Sequence, residues 1–521
     1  MCAITVLFGG SLPETAFDDV FDGESAFERA LLRGAAFPGV QKVCLLVAEN
    51  AVLPKLPQLA VPLETVERAV WDNRALLGAL AEAAAGFDLC YYAWADSPFL
   101  DPRLAGAIAE RHKRYPADYS YADGYADGFA PEALSPGTAA ILSALLDKCD
   151  KEEKRGAAKV SRDSVFLVLQ KDINSFDIET EVASIDHRLY RLSLTADSRR
   201  NLLLCKRFFD EGIDRAEDSL LFTERVIKEK PALLRTLPAF FPVQITDRCP
   251  AQKTSSCEIC PFAAAVQQNR GLEMAEGDFI RLLDKIAAFA GDAVIDLSLW
   301  GETALHARRG AFIEAVLARP ALSLVIETAV TGWDEAEIAA YARAASVAAP
   351  RLNGMAPLSW IVSAESPTVE NPEPESVFHR YFPADSYHQM VRVKGNEDAV
   401  EVFYRYWKGK NAQVLIQKYD SFGGTLPGLV TADLSPFRRH PCWHLMRDFP
   451  VLLDGSVPAC REDTALFSGG GESPGNAVLG NALAEPLETL WEKNAALYRE
   501  QCGGVYTGLC GTCDEWYTYN F

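Results

Sequence analysis

Residues 241–262 read FPVQITDRCPAQKTSSCEICPF. An apolar strand runs into a polar loop carrying Cys249, Cys257 and Cys260 in the spacing CX7CX2C. Thiolates are soft ligands, and three of them on one loop hold a metal while leaving a further position open. A second group, Cys442, Cys460, Cys502, Cys510 and Cys513, lies far downstream and ends in the tight pair CGTC. Four or five thiols can close a site. An open site beside a closed one is the pattern of a redox protein rather than of a staple.

Disulfides are the competing reading, and the rest of the chain argues against them. MCAITVLFGG reads as a strand entering a glycine turn, not as a charged segment followed by an apolar leader. No run approaches the eighteen or so apolar residues of a membrane span, so no membrane insertion is expected. The thirteen cysteines are an odd count in a chain of 521 residues, long enough to bury a core without cross-links. Cys2, Cys44, Cys90, Cys149 and Cys205 are scattered in apolar surroundings and read as small buried hydrophobes. A reducing cytoplasmic location follows, where clustered thiols mean metal or redox work. The formal net charge of −21 disfavours nucleic acid or anionic lipid as partners.

Outward from the cysteine loop the chain alternates strands and helices. AVIDLSLWGE (293–302), LSLVIETAV (322–330), LSWIVSAES (358–366) and AQVLIQKYD (412–420) read as strands separated by amphipathic helices. Five or six such units predict a full or partial parallel barrel over residues 236–440, with its site at the carboxyl ends of the strands. The cysteine trio, WGE and Glu327–Thr328 all fall on that rim.

This pattern resembles the radical S-adenosylmethionine superfamily. The resemblance implies that Cys249, Cys257 and Cys260 hold a [4Fe–4S] cluster whose open iron takes the methionine part of S-adenosylmethionine. It further implies that Gly301 and Glu302 match the end of the family's GGE motif, which meets the methionine amino group, with Trp300 replacing a glycine. Glu327 and Thr328 fall where that cofactor is often contacted. The chain departs from the usual CX3CX2C spacing by four residues, which costs little loop entropy, and Ile259 stands where an aromatic residue often shields the cluster. A zinc knuckle, or a barrel without S-adenosylmethionine chemistry, is the competing reading.

Residues 441–521 resemble the SPASM domain, an iron–sulfur extension of radical enzymes that modify peptides and proteins. The motifs are HPCWHLMRDFPVLLDGSVPACRED (440–463), AVLGNALAEPLETLWEKNAALYRE (477–500) and CGGVYTGLCGTC (502–513). Cys442, Cys460, Cys510 and Cys513 suffice for one [4Fe–4S] cluster, and Cys502 is a fifth candidate or a free thiol. The sequence does not separate this from a zinc ribbon, because both use tetrahedral thiolate.

Residues 1–235 also alternate strands and helices, which predicts a mostly parallel sheet covered on both faces. ADSPFLDP (95–102) and the region around Asp197 resemble the nucleotidyltransferase and glycosyltransferase-A fold, especially sugar cytidylyltransferases. That resemblance implies Asp96 and Asp197 as ligands of a divalent ion, with Asp96 as a turn or capping residue the alternative. The loop FGGSLPET (8–15) has turn glycines but no cation for a triphosphate, so altered or lost nucleotide turnover is expected.

The whole chain most closely resembles the spirochaete "spiro-SPASM" proteins: an α/β chain with a nucleotide-diphospho-sugar-transferase-like sheet domain, a partial (β/α) barrel and a small cysteine-rich SPASM domain. The resemblance implies a radical enzyme acting on a peptide or protein and supplied with electrons by a reductant protein. A cytidylyltransferase-like protein with a regulatory iron–sulfur domain, and a non-catalytic metal protein that assembles a complex, are the alternatives.

Overall fold

The computed structural model describes residues 2–153, 159–249, 259–260, 271–424, 426, 428–464 and 478–518. The chain divides into two compact units, Met1–Leu233 and Leu234–Phe521.

The first unit is built on a seven-stranded sheet of β1 (Ala3–Gly9), β2 (Val40–Ala48), β3 (Leu63–Arg68), β4 (Leu89–Trp94), β5 (Tyr119–Asp123), β6 (Glu132–Leu134) and β7 (Ile178–Val182). Their order is β3-β2-β1-β4-β6-β5-β7. β1 to β4 are parallel, as the apolar runs of β1, β2 and β4 predict, whereas β6 lies antiparallel to both β4 and β5. The helices begin where local chemistry satisfies their first N–H groups. Ser25 and Glu28 form a capping box before Ala26–Ala35, Asp72 caps Asn73–Ala84, and Asp101 caps Pro102–Arg114 with proline in the first turn. Cys44, Cys90 and Cys205 are buried as expected, but Cys2 is exposed, because it precedes β1 and has no face turned to the core. The side chain of Cys149 lies outside the described residues.

The second unit carries β8 (Phe240–Pro242), β9 (Ala293–Asp296), β10 (Leu322–Thr328), β11 (Leu358–Ser363), β12 (Ser386–Arg392) and β13 (Gln413–Lys418). They lie side by side in chain order, and each neighbouring pair is parallel. That is the strand arrangement of an open (β/α) barrel wall. Period-two alternation sorts its residues. Ile295, Leu322, Leu324, Ile326, Leu358, Trp360 and Val362 join a core with Phe279, Leu283, Phe312 and Val316 of the intervening helices. Phe240, Val294, Val325 and Ile361 form a separate apolar floor on the opposite face, with Met355 and Leu415 against it. WGE lies beyond the end of its strand: β9 stops at Asp296, where the Ser298 N–H donates to Asp296 Oδ1 at 2.8 Å and turns the chain.

The cysteine-rich segment packs against this sheet. The Ala239 N–H donates to Arg447 O, and the N–H groups of Phe449 and Val451 donate to Phe240 O and Pro242 O, at 2.8–2.9 Å. Residues 448–451 thereby cover the outer edge of β8. β14 (Ser456–Pro458) and β15 (Val478–Asn481) pair antiparallel ahead of the helix Leu487–Cys502. Buried Arg235 holds the assembly, donating to Leu445 O (2.8 Å) and Trp491 O (2.9 Å) while its guanidinium lies 3.4 Å from the Trp491 ring centre. Among the described residues, no helix is long and apolar enough to cross a membrane.

Candidate active site and metal centres

The carboxyl ends of β9 to β12 place polar side chains above the apolar floor. Asp296 and Glu327 follow Val294 and Val325 on the same face of their strands. Gln389 of β12 donates through Nε2 to Glu327 Oε1 at 2.7 Å, and the Glu327 N–H donates to Ser298 Oγ at 2.6 Å. Burial pushes the Asp296 carboxyl up to about 6 against the Ser298 hydrogen bonds, and the neighbouring Glu327 charge raises it further. Asp296 and Gln389 were not singled out in the sequence. Asp296 was discoverable as an acidic residue ending an otherwise apolar strand.

Cys249 and Cys260 both pack against the hydrophobic patch of Leu299 and Trp300. Cys257 lies outside the described residues. Trp300 has φ +58°, a left-handed conformation that costs a non-glycine residue roughly 1–2 kcal/mol. The position therefore keeps the backbone shape of a glycine while carrying an indole. Gly301 is required in a different way: a Cβ there would lie 2.1 Å from the Thr246 carbonyl oxygen. The Glu302 N–H donates to Arg248 O at 2.9 Å, and Gln244 Nε2 donates to Trp300 O at 3.2 Å. The WGE loop is thus clamped to the chain that leads into Cys249.

Glu302 and Thr328, both expected beside the cofactor, contact each other. Thr328 Oγ1 donates to Glu302 Oε1 at 2.8 Å, and the Ala329 N–H donates to Oε2 at 3.0 Å. Burial raises the Glu302 carboxyl, and these hydrogen bonds oppose the rise. Glu302 acts as a strut that fixes the loop after β9 to the end of β10.

Four cysteines of the second group converge. Cys442 is buried at the start of the short helix Trp443–Arg447, and N–H groups of Leu445 and His444 bond to its sulfur. Cys460 Sγ accepts from the Glu462 N–H (3.5 Å) and Cys513 Sγ from the Glu515 N–H (3.4 Å). Gln501 bonds both the Cys442 N–H, at 2.8 Å, and the side chain of Cys510. Burial raises all four thiols, that of Cys442 to about 12. The charges of Cys510 on Cys442, and of Cys442 and Cys513 on Cys460, raise them further. Crowded buried thiols that receive N–H donors are poor as free acids and suited to thiolates around a cation. The donor set fits a soft-metal centre. Cys502 pairs instead with Tyr498, through a side-chain hydrogen bond.

Beside these sulfurs lies an acidic network. Ligand atoms of Asp420, Asp514 and Glu515 fall within 4.8 Å of one another. Lys418 reaches both Asp514 (3.0 Å) and Glu515. Asp420 and Glu462 bond carboxyl to carboxyl, which requires a proton between them, and burial together with this contact raises Asp420 well above the carboxylate range. Partly buried Arg461 bonds Glu462 at 3.0 Å and carries the opposing charge for Asp448, Asp420 and Asp296. Arg461 directly follows Cys460, and that adjacency was its only signal in the sequence.

In the first unit, Asp96 and Asp197 are also brought together, around Arg162. Its Nη2 lies 2.6 Å from Asp96 Oδ2 and 3.1 Å from Asp197 Oδ2. Sequence reasoning missed Arg162, which no motif marks.

The fold and these sites define an α/β chain with parallel sheets and two groups of cysteines, one of them packed beside the loop that follows β9. No family model matches the sequence. The chain is 32% identical over 378 residues to an uncharacterized protein of Treponema pallidum (strain Nichols), across 68% of this chain and 98% of that protein. It belongs to the family of that protein. A second uncharacterized Treponema pallidum protein is 31% identical over 133 residues, 23% of this chain and 61% of its own length. Among solved structures, BtrN in complex with AdoMet and 2-DOIA aligns at 16% identity over 55% of this chain and 94% of BtrN, with a TM-score of 0.33. AdoMet-bound anSMEcpe aligns at 13% identity over 50% of this chain and 79% of its own, with a TM-score of 0.36. A cytidylyltransferase from Leptospira borgpetersenii aligns at 14% over 45% of this chain and 95% of its own, with a TM-score of 0.34. At these TM-scores the likenesses carry no argument, and the reading below rests on strand order and side chains.

Proposed function

We propose that the second unit is an iron–sulfur radical S-adenosylmethionine enzyme that modifies a peptide or protein, as the spiro-SPASM resemblance implies. The observation that carries the reading is the meeting of Cys249 and Cys260 with the clamped WGE loop, at the strand ends of a parallel sheet in chain order. When bound, the cluster and S-adenosylmethionine supply one-electron cleavage of a sulfonium. The chain's own residues supply the rest. Cys249, Cys257 and Cys260 hold the metal. Glu302 and Thr328 keep the two strand-end loops in register, and Asp296 and Glu327 offer negative charge to a cationic cofactor in a partly desolvated crevice. Cys442, Cys460, Cys510 and Cys513 hold the second centre. The reading carries with it a reductant protein and the reducing cytoplasm, where such centres persist.

Anaerobic reconstitution with iron and sulfide, followed by metal analysis and by assay for reductive cleavage of S-adenosylmethionine with dithionite, tests this. Two [4Fe–4S] clusters require about eight irons per chain. One zinc without labile sulfide, and no cleavage, would sink the proposal.

A further inference from the structure

The first unit places its own side chains at both positions a metal-bound nucleotide would need. Asp96 follows β4 and is fully buried. One of its oxygens accepts from Arg162 Nη2 at 2.6 Å and the other from Ser97 Oγ at 3.4 Å. The same Nη2 donates to Asp197 Oδ2 at 3.1 Å, while Asn201 Nδ2 holds Asp197 Oδ1 at 2.8 Å. The Arg162 guanidinium is seated 4.7 Å from the Trp94 ring centre, so packing as well as charge fixes it between the carboxylates. The glycine turn after β1 is filled independently. A Cβ on Gly10 would lie 2.4 Å from Trp71 Cδ1 and 2.9 Å from Phe8 Cε2. Trp71 is anchored there by its Nε1, which donates to Val47 O at 2.7 Å. This glycine makes room for an indole, which leaves its turn closed to a phosphate on that side.

We propose that Arg162 is the resident cation of this site, standing where a divalent ion would join Asp96 to Asp197, so that the unit neither binds that ion nor turns over nucleoside triphosphates. A guanidinium stays charged at every physiological pH, so the counter-charge is permanent. Magnesium needs oxygens at about 2.0–2.1 Å in octahedral array, a geometry that a guanidinium bridging two carboxylates at hydrogen-bond distance excludes. The local charge also repels polyanions. Asp96, Asp127, Asp163 and Asp197 act on Arg162 or one another, four acids against one base. The crevice suits a neutral or cationic ligand. This inference does not depend on the radical reading of the second unit.

The test is Mn2+ binding to the full-length chain, followed by the EPR signal of free Mn2+, with and without CTP. Wild type and Asp96→Asn should hold the same number of ions, since ions bound elsewhere cancel in the comparison, and CTP should change neither. Arg162→Gln should gain one Mn2+ per chain, which Asp96→Asn in the same chain removes again. Loss of one Mn2+ from wild type on Asp96→Asn, or on Asp197→Asn if the first variant does not fold, would show that the guanidinium yields to a metal and would overturn the proposal. A folded Arg162→Gln chain that gains no ion would overturn it equally.

Discussion

Both sheets gather carboxylates at or just beyond the carboxyl ends of parallel strands, and the two units treat them in opposite ways. A buried carboxylate needs a counter-charge or a proton. At β4 the chain supplies the counter-charge itself, with Arg162 held between Asp96 and Asp197 and backed by Trp94. At β9 and β10 the partners of Asp296 and Glu327 are a serine and a glutamine side-chain amide. The cation that acts on Asp296, Arg461, is shared with Glu462, Asp448 and Asp420. The first crevice carries its counter-cation built in. The second keeps an excess of negative charge, the condition for receiving a cation from outside. The same sheet architecture thus makes a closed site in one unit and an open one in the other, and a few side chains decide which.

The largest expected effect is on metal content. Replacing Cys510 with Ala should cut iron in the reconstituted chain from about eight to about four per molecule, because one thiolate-held cluster is lost. Unchanged iron would mean that the four converging thiols are not a centre, and the second unit would lose half of its contrast with the first.

Next comes Arg162→Met, which leaves Asp96 buried without its partner. It should cost about 3 kcal/mol at neutral pH, read by urea unfolding. A loss below about 0.5 kcal/mol would show that solvent already screens the pair and would erase the distinction between a filled and an open crevice.

Gly301→Ala should destabilise the second unit by about 2 kcal/mol, since the added methyl meets the Thr246 carbonyl and forces the clamp apart. Thermal unfolding measures it. An effect within 0.5 kcal/mol, by the order of magnitude of ordinary surface changes, would mean that the WGE loop is free to move and that the open site is not held in place.

The smallest effect sharpens the comparison through pH. Asp296 has a folded-state pKa raised to about 6. For an acid raised on folding, the stabilising contribution is complete below the unfolded value and is lost as pH rises through the folded one. Asp296→Asn avoids that loss. It should be more stable than wild type at pH 8 by roughly 1–2 kcal/mol, discounted for a half-buried group, and no more stable at pH 4. A destabilised Asp296→Asn at pH 8 would reveal that Arg461 holds Asp296 as tightly as Arg162 holds Asp96.

Long apolar runs made β1, β2 and β4 of the first sheet legible, and all of the second sheet but β12. AVIDLSLW and LSLVIETAV announce β9 and β10 because both of their faces are buried. β12 was missed: SYHQMVR alternates Tyr387 and Gln389 toward the polar crevice with His388, which is buried against Trp407. A strand that lines a site with polar residues loses the hydrophobic signal by which strands are recognised. β3, β5, β6 and β7 escaped for simpler reasons: β3 and β7 are polar and lie at the two sheet edges, and β5 and β6 are only five and three residues long. The cysteines were legible because their residue type is rare and their spacing short. Arg162, Asp296 and Arg461 were not, since an arginine or aspartate in a sequence does not show which charge it will meet. Glu302 was legible as a site residue, but its bond to Thr328 depends on two strands becoming neighbours.

The cover that residues 448–451 give the outer edge of β8 makes synthesis of this chain a matter of timing. β8 is among the first parts of the second unit to leave the ribosome, and the segment that pairs with it is among the last. Through that interval a row of unpaired N–H and C=O groups stands ready to recruit strands from other nascent chains. If Cys442 and Cys460, which flank the covering segment, hold the proposed centre, metal supply joins the same schedule, because a site absent from the unfolded chain lends its binding energy to folding. Iron starvation would then show itself first as aggregation of newly made protein, before any loss of activity in chains already folded.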